Sequence, residues 1–154
     1  MNTYGKTRGY RNHNVCNVRP CTLPDIWEGQ SGIDNNLPDP PYVIFGDFGG
    51  MEADFWGIRA GARNFLSYQS KDGCQTVRQI ISRHAPPTDA NDTAGYIADV
   101  CKGLALSPDT PVDLKNDPGL MFALIKSVIH EEEGSDPYPD IFVRVAVTAA
   151  LAGI

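Results

Sequence analysis

A chain of 154 residues, 42% hydrophobic and 21% charged, can bury one substantial core but not two, so residues 1–154 read as a single domain. Nineteen acids against thirteen Lys and Arg give a net charge of −6, which argues against nucleic acid as a partner, because phosphate contacts need clustered cations. The amino-terminal stretch is polar, so no signal peptide is expected, and the longest apolar run, 141–154, is too short for a membrane span and contains Arg144.

Residues 1–50 hold much of the Gly, Pro and Asn and have no helical period. They read as loops with a short β-hairpin that includes Tyr42–Phe45. Lys6, Arg8, Arg11 and Arg19 fall among the first nineteen residues with almost no acid; such an arm either meets an acidic partner or is solvated. Cys16, Cys21, Cys74 and Cys101 are too few and too irregular for a disulfide framework. His13, Cys16 and Cys21 lack a fourth ligand to complete a zinc tetrahedron. Gly49-Gly50 is not followed by the Lys-Ser/Thr of a phosphate loop. No metal and no cofactor are therefore expected.

From residue 52 to 152 the apolar spacing becomes helical. The first predicted helix runs from near Glu52 to Lys71, buries Phe55, Ile58, Ala62, Phe65 and Leu66, and stops at Asp72-Gly73. On this helix Arg59 and Arg63, one turn apart, read as a solvated or salt-bridged edge. A second helix carries Val77, Ile80, Ile81 and His84 and ends before Pro86-Pro87. A third is capped near Asp92 or Thr93 and packs Tyr96, Ile97, Val100, Cys101 and Leu104. Asp117 followed by Pro118 opens a fourth. The fifth, from about Asp140, is apolar nearly all round, which suits either the core or a partner's surface.

The fourth helix ends in three glutamates. At about 100° per residue, Met121, Ile125, Val128 and Glu132 share one stripe, with Glu131 and Glu133 near its two edges. A carboxylate there meets burial, two neighbouring acids and the negative end of the helix dipole, and all three raise its pKa. A raised pKa is what a general acid near neutrality needs. The plain alternative is a helix that ends a turn early, with the glutamates in water.

Several strings resemble a family of small phage and prophage virion proteins. Residues 8–19, Arg-Gly-Tyr-Arg-Asn-His-Asn-Val-Cys-Asn-Val-Arg, are similar to an Arg-Asn-Asn-Asn-Pro-Gly-Asn-Ile-Arg opening. Trp27-Glu28-Gly29-Gln30, Gly57-Ile58-Arg59-Ala60, the 76–87 stretch, Asn91-Asp92-Thr93 and the turn at 130–134 follow in the family's order. The resemblance covers most of the chain and implies a component of a virion, made in a bacterial cytoplasm and partnered by other virion proteins.

A second resemblance concerns chemistry. Residues 129–134, Ile-His-Glu-Glu-Glu-Gly, resemble the Ile-x-x-Glu-Ser-Gly turn that carries the acid of lytic transglycosylases and related glucosaminidases. Residues 12–19 and Trp27-Glu28-Gly29 look like those enzymes' Asn-rich loop and Trp-x-Gly, in permuted order. The fold this implies is mainly α and lysozyme-like, with about five helices. The activity it implies is local cleavage of peptidoglycan at the cell wall, with Glu132 as acid. Asn14, Asn17, Trp27, His84 and Tyr138 are the candidate saccharide contacts, and a hydrolase would draw a second carboxylate from Asp34, Asp47, Glu52 or Asp54. The sequence departs from the virion family's strings at Val15-Cys16, His84 and Ala90, and Glu133 stands where an Asn is usual before the glycine of the turn. The rival reading is thus a structural protein without catalysis, docked through residues 141–154.

Overall fold

The computed structural model describes residues 7–22, 24–36 and 39–153; Lys6 and Ile154, counted above in the basic arm and the apolar run, lie outside them. The fold is mainly α with one short hairpin, as expected. Among the described residues α1 is Arg8–Arg11, α2 Ala53–Ser70, α3 Val77–His84, α4 Thr93–Leu104, α5 Pro118–Glu133 and α6 Asp140–Ala152. Strands β1 (Gln30–Asp34) and β2 (Tyr42–Phe45) pair antiparallel, with Ile33 opposite Val43 and an irregularity between Gln30 and Gly32.

The helix boundaries follow from local chemistry. Asp47 Oδ1 accepts the first amide of α2, from Ala53, at 2.6 Å. Thr76 and Gln79 close a reciprocal capping box at the start of α3. Asp92 caps α4 through Gly95, and Asp117 caps α5 through Leu120 ahead of Pro118. Gly134, in the left-handed region at φ 70°, ends α5 after the third glutamate, so none of the three frays.

Helix α2 packs chiefly on α6, and α4 on α5. Their shared core holds Ile58, Phe65, Ile80, Ile81, Leu124 and Ile125, each fully buried and each contributing about 1.5–3 kcal/mol. Leu66, expected inside, is only partly buried. Helix α6 divides its apolar surface: Val143, Ala146, Val147 and Ala150 are buried, while Ile141 and Val145 remain 69% and 51% exposed. One face of α6 is therefore core, and among the described residues the Ile141 and Val145 side of the other is left exposed.

The loop-rich amino-terminal part is fastened to this bundle through backbone. Asn14 is fully buried; its side-chain amide donates to the Val18 and Val43 carbonyls at 2.9 Å, and its oxygen accepts from the Val18 amide. Gly57 makes the close approach possible, since a Cβ there would stand 1.9 Å from the His13 carbonyl oxygen. Two cations of the basic arm are paired within the protein, while Arg11 and Arg19 stay exposed to solvent. Arg8 binds Asp34 at 2.7 Å, and Arg19 pairs with Asp89. Arg8 and then Asn12, both donating to Asp34, hold its carboxyl down at about 2.

Candidate functional site

The last turn of α5 sends its three glutamates into three environments. Glu131 lies beside Asp99 of α4, and its pKa is raised by burial and then by Asp99. Glu133 is 2% exposed beneath the α1 turn, where it accepts from the Thr7 hydroxyl and the Tyr10 backbone amide. Burial pushes its carboxyl up to about 7 against those two donors, with Glu132 adding to the rise. A Cβ on Gly9 would come within 2.5 Å of Glu133 Oε1, so the bare glycine lets the turn close over the acid.

Glu132 sits between them. The Tyr96 hydroxyl donates to Oε1 at 2.9 Å, Asn17 Nδ2 donates to Oε2 at 2.8 Å, and His84 Nε2 lies 3.5 Å from Oε1. Its side chain keeps 20% of its surface exposed. Burial is the largest influence and acts to raise the pKa, but His84, Asn17 and Tyr96 together outweigh it and leave the carboxyl below its ordinary value. This corrects two expectations. Glu132 is not the acid with the raised pKa, and Glu133, placed at the edge of the stripe, is the most deeply buried of the three. A helical wheel shows which way a residue points on its own helix; here the α1 turn covers the Glu133 edge and supplies a wall the wheel does not contain.

Each donor to Glu132 is held by its own element. Asn17 has a left-handed backbone at φ 49° and donates its amide to the Asn14 carbonyl, so the buried Asn14 sets the loop that presents it. His84 ends α3 and lies edge-on to Phe65 and Tyr96, with ring centroids 5.1 and 6.3 Å away. Tyr96 stands in the first turn of α4, just after its Asp92 cap.

Asn17 and His84 also line a groove of about 750 Å³, together with Arg19, Trp27, Tyr68 and Lys71. Glu132 is not itself part of that lining; it stands one side chain behind. Trp27 lies along the wall with its indole N–H donated to the Arg19 carbonyl at 2.8 Å. Of the predicted saccharide contacts, then, Asn17, Trp27 and His84 meet at the groove and two of them reach Glu132.

The other two do not join them. Asn14 spends its polar atoms on the fold. Tyr138 donates to Asp54 at 2.9 Å and stacks on Phe142. None of the candidate second carboxylates contacts Glu132: Asp34 is tied to Arg8, Asp47 caps α2, Glu52 is exposed at the α2 N-terminus, and Asp54 bonds His13 and Tyr138. Arg59, expected at a solvated or salt-bridged edge, is salt-bridged to Glu28 at 3.1 Å but buried rather than solvated, at 5% exposure. Tyr96 and Glu133 were not foreseen. Tyr96 looks like core in any helical pattern, and only its hydroxyl, reaching a residue 36 positions away, gives it a polar task.

No protein-family model matches the sequence. A phage protein does, over most of its length: the chain is 33% identical over 132 residues, covering 85% of this chain and 74% of the other, to a protein of Pseudoalteromonas phage PM2. The chain belongs to the family of that phage protein. Its relative is named Protein P5. No helix among the described residues is long and apolar enough to cross a membrane.

Proposed function

We propose that this protein is carried in a phage particle, among other virion proteins, and cleaves the glycan strands of peptidoglycan at the cell wall, with Glu132 as the acid. One observation carries the reading. Asn17 and Glu132, from the two strings that resemble separated parts of one catalytic motif, are hydrogen-bonded at 2.8 Å across 115 residues, beside a groove large enough for sugars.

In the reaction the Glu132 carboxyl gives its proton to the glycosidic oxygen as the bond from that oxygen to the anomeric carbon breaks, through an oxocarbenium-like transition state. The 6-hydroxyl of the muramic sugar then attacks the anomeric carbon and returns its proton to the carboxylate. A single carboxyl thus serves as acid and then base, which suits a site where no second acid contacts Glu132. Water in place of the 6-hydroxyl would give hydrolysis. In the free protein His84, Asn17 and Tyr96 favour the carboxylate. A saccharide laid over Asn17 and His84 expels water from the open edge and strengthens the burial that pushes the carboxyl toward its protonated form.

Glu132→Gln tests this. Wild-type protein is expected to clear purified sacculi and the variant to lose about 10²-fold or more of the rate. Equal rates, or an inert wild type, would remove the catalytic reading. A second reading, a non-catalytic virion subunit docked through 141–154, is favoured by the exposed Ile141 and Val145 on α6. It is the reading that an inert wild type would leave standing.

A further inference from the structure

Two hollows meet along the outer face of α2. Arg63, Ser67 and Lys71, spaced four residues apart and so on one side of the helix, line both the groove beside Glu132 and a second hollow of about 420 Å³. The second hollow adds the side chains of Leu66, Leu151, Asp113 and Lys115.

The charge along this trench opposes that of the whole chain. Six of the thirteen Lys and Arg line the two hollows, against four of the nineteen acids. Three of the six are matched within the protein: Arg19 by Asp89, Arg59 by Glu28 and Arg83 by Asp72. Arg63 donates to the Ala150 carbonyl at 3.2 Å, which leaves its charge unbalanced. Lys71 and Lys115 make no ion pair among the described residues. The unmatched cations thus gather at the second hollow and at the rim it shares with the first.

We infer that the second hollow receives the acidic peptide stem of a peptidoglycan strand whose sugars occupy the first, an inference that rests on the glycan-cleaving reading. Such a stem joins small methyl side chains to free carboxylates. Leu66 and Leu151 offer apolar surface to the methyls, while Arg63, Lys71 and Lys115 face the carboxylates. A neutral glycan would gain nothing from those cations. The site therefore selects peptide-bearing strands over bare polysaccharide.

The test uses the full chain and a Lys71→Glu, Lys115→Glu double variant; both lysines are exposed, so the fold is retained. Relative to its affinity for neutral chitohexaose, the variant should lose roughly tenfold in affinity for purified sacculi, as expected for removing charge-assisted contacts. Lys102→Glu, an exposed cation on α4 away from both hollows, should bind sacculi like wild type. The free tripeptide alanyl-γ-glutamyl-diaminopimelate should shift the amide resonances of Leu66 and Lys115. Equal losses for sacculi and chitohexaose, or no loss at all, overturn the inference. So does inorganic polyphosphate displacing the tripeptide at lower concentration, which would mark a general anion trench. Glu132→Gln separates the two claims: it should still sediment with sacculi, and an inert wild type that binds the stem sinks the catalytic reading alone.

Discussion

Glu132 and Glu133 are consecutive residues at one helix end and meet opposite surroundings. They share the negative end of the α5 dipole and each other's charge, so neither influence separates them. The donors do. On the groove side Asn17, His84 and Tyr96 converge on Glu132 from a loop and two helices and hold its carboxyl below the ordinary value. Toward the amino terminus, Thr7 and the Tyr10 amide meet Glu133 under a sealed turn, and burial wins. What a carboxylate does at a helix terminus is decided less by the helix than by which neighbouring segments bring N–H and O–H groups to it.

The sharpest way to break this contrast is to exchange each acid for its amide. Glu132→Gln should cost about 10²-fold or more in the rate of sacculus clearing and a modest amount of stability, because the amide oxygen can still accept from Tyr96 while its NH2 then faces the Asn17 donor. Glu133→Gln should leave clearing nearly intact, since that side chain is sealed from the groove. A reversed pattern, with Glu133→Gln inactive, would move the catalytic assignment by one residue and discard the Asn17 contact as its support.

Glu133 should instead govern stability through pH. Its folded pKa of about 7 lies above the 4.5 of an unperturbed glutamate, so the native state binds the proton more tightly than the unfolded chain. The stabilisation is full below about 4.5, declines as pH rises toward 7 and is gone above it. A gap of that size corresponds to about 3–4 kcal/mol in full, of which about 2–3 falls between pH 5 and pH 8. Urea denaturation at pH 5 and pH 8 should show wild type losing that amount between the two, and Glu133→Gln losing clearly less. Parallel curves would mean that Glu133 ionises freely in the folded protein.

A smaller effect is expected at the turn that seals Glu133. Gly9→Ala places a methyl 2.5 Å from Glu133 Oε1 and 2.9 Å from both the Asn14 carbonyl and Asn17 Oδ1. The turn must lift, at about 1–3 kcal/mol. Because Asn17 moves with it, affinity for saccharide should fall together with stability. Loss of stability with unchanged saccharide binding would show that the two sides of the helix end are independent.

The helical frame was legible because its signals are local. The caps at Asp92 and Asp117, the stop before Pro86-Pro87 and the spacing of Val77, Ile80 and Ile81 all act within a few residues of where they are read. The one-turn α1 carries no such period and was not foreseen, and the hairpin's partner strand β1 was expected but not located for the same reason. The site was legible in part. Glu132 came from the helical stripe as well as from resemblance, Asn17 and Trp27 from resemblance, and the fold brings them and His84 to one side. The pKa order of the three glutamates was not legible, because it depends on Thr7, Asn17 and Tyr96 arriving from 36 to 126 residues away. Asn14 and Asn17 show the same limit: identical side chains three positions apart, one turned inward to bond Val18 and Val43, the other turned out to the acid.

The finest test of the groove side is Tyr96→Phe. It removes only the hydroxyl that donates to Glu132 Oε1, and the ring keeps its place against His84. Losing a donor to the charged form raises a carboxyl's pKa, and here Asn17 and His84 replace part of what is lost. Catalysis requires protonated Glu132, so kcat/KM of the wild type should fall as pH rises through the acidic range. In the variant the same fall should begin at higher pH. At a fixed pH above both values the variant would then clear sacculi up to several-fold faster, despite having lost a contact. A carbon-13 titration of the Glu132 carboxyl in the two proteins reads the displacement directly. A pH profile that does not move, beside a titration that does, would mean that Glu132 ionises as described but is not the group whose proton the reaction uses.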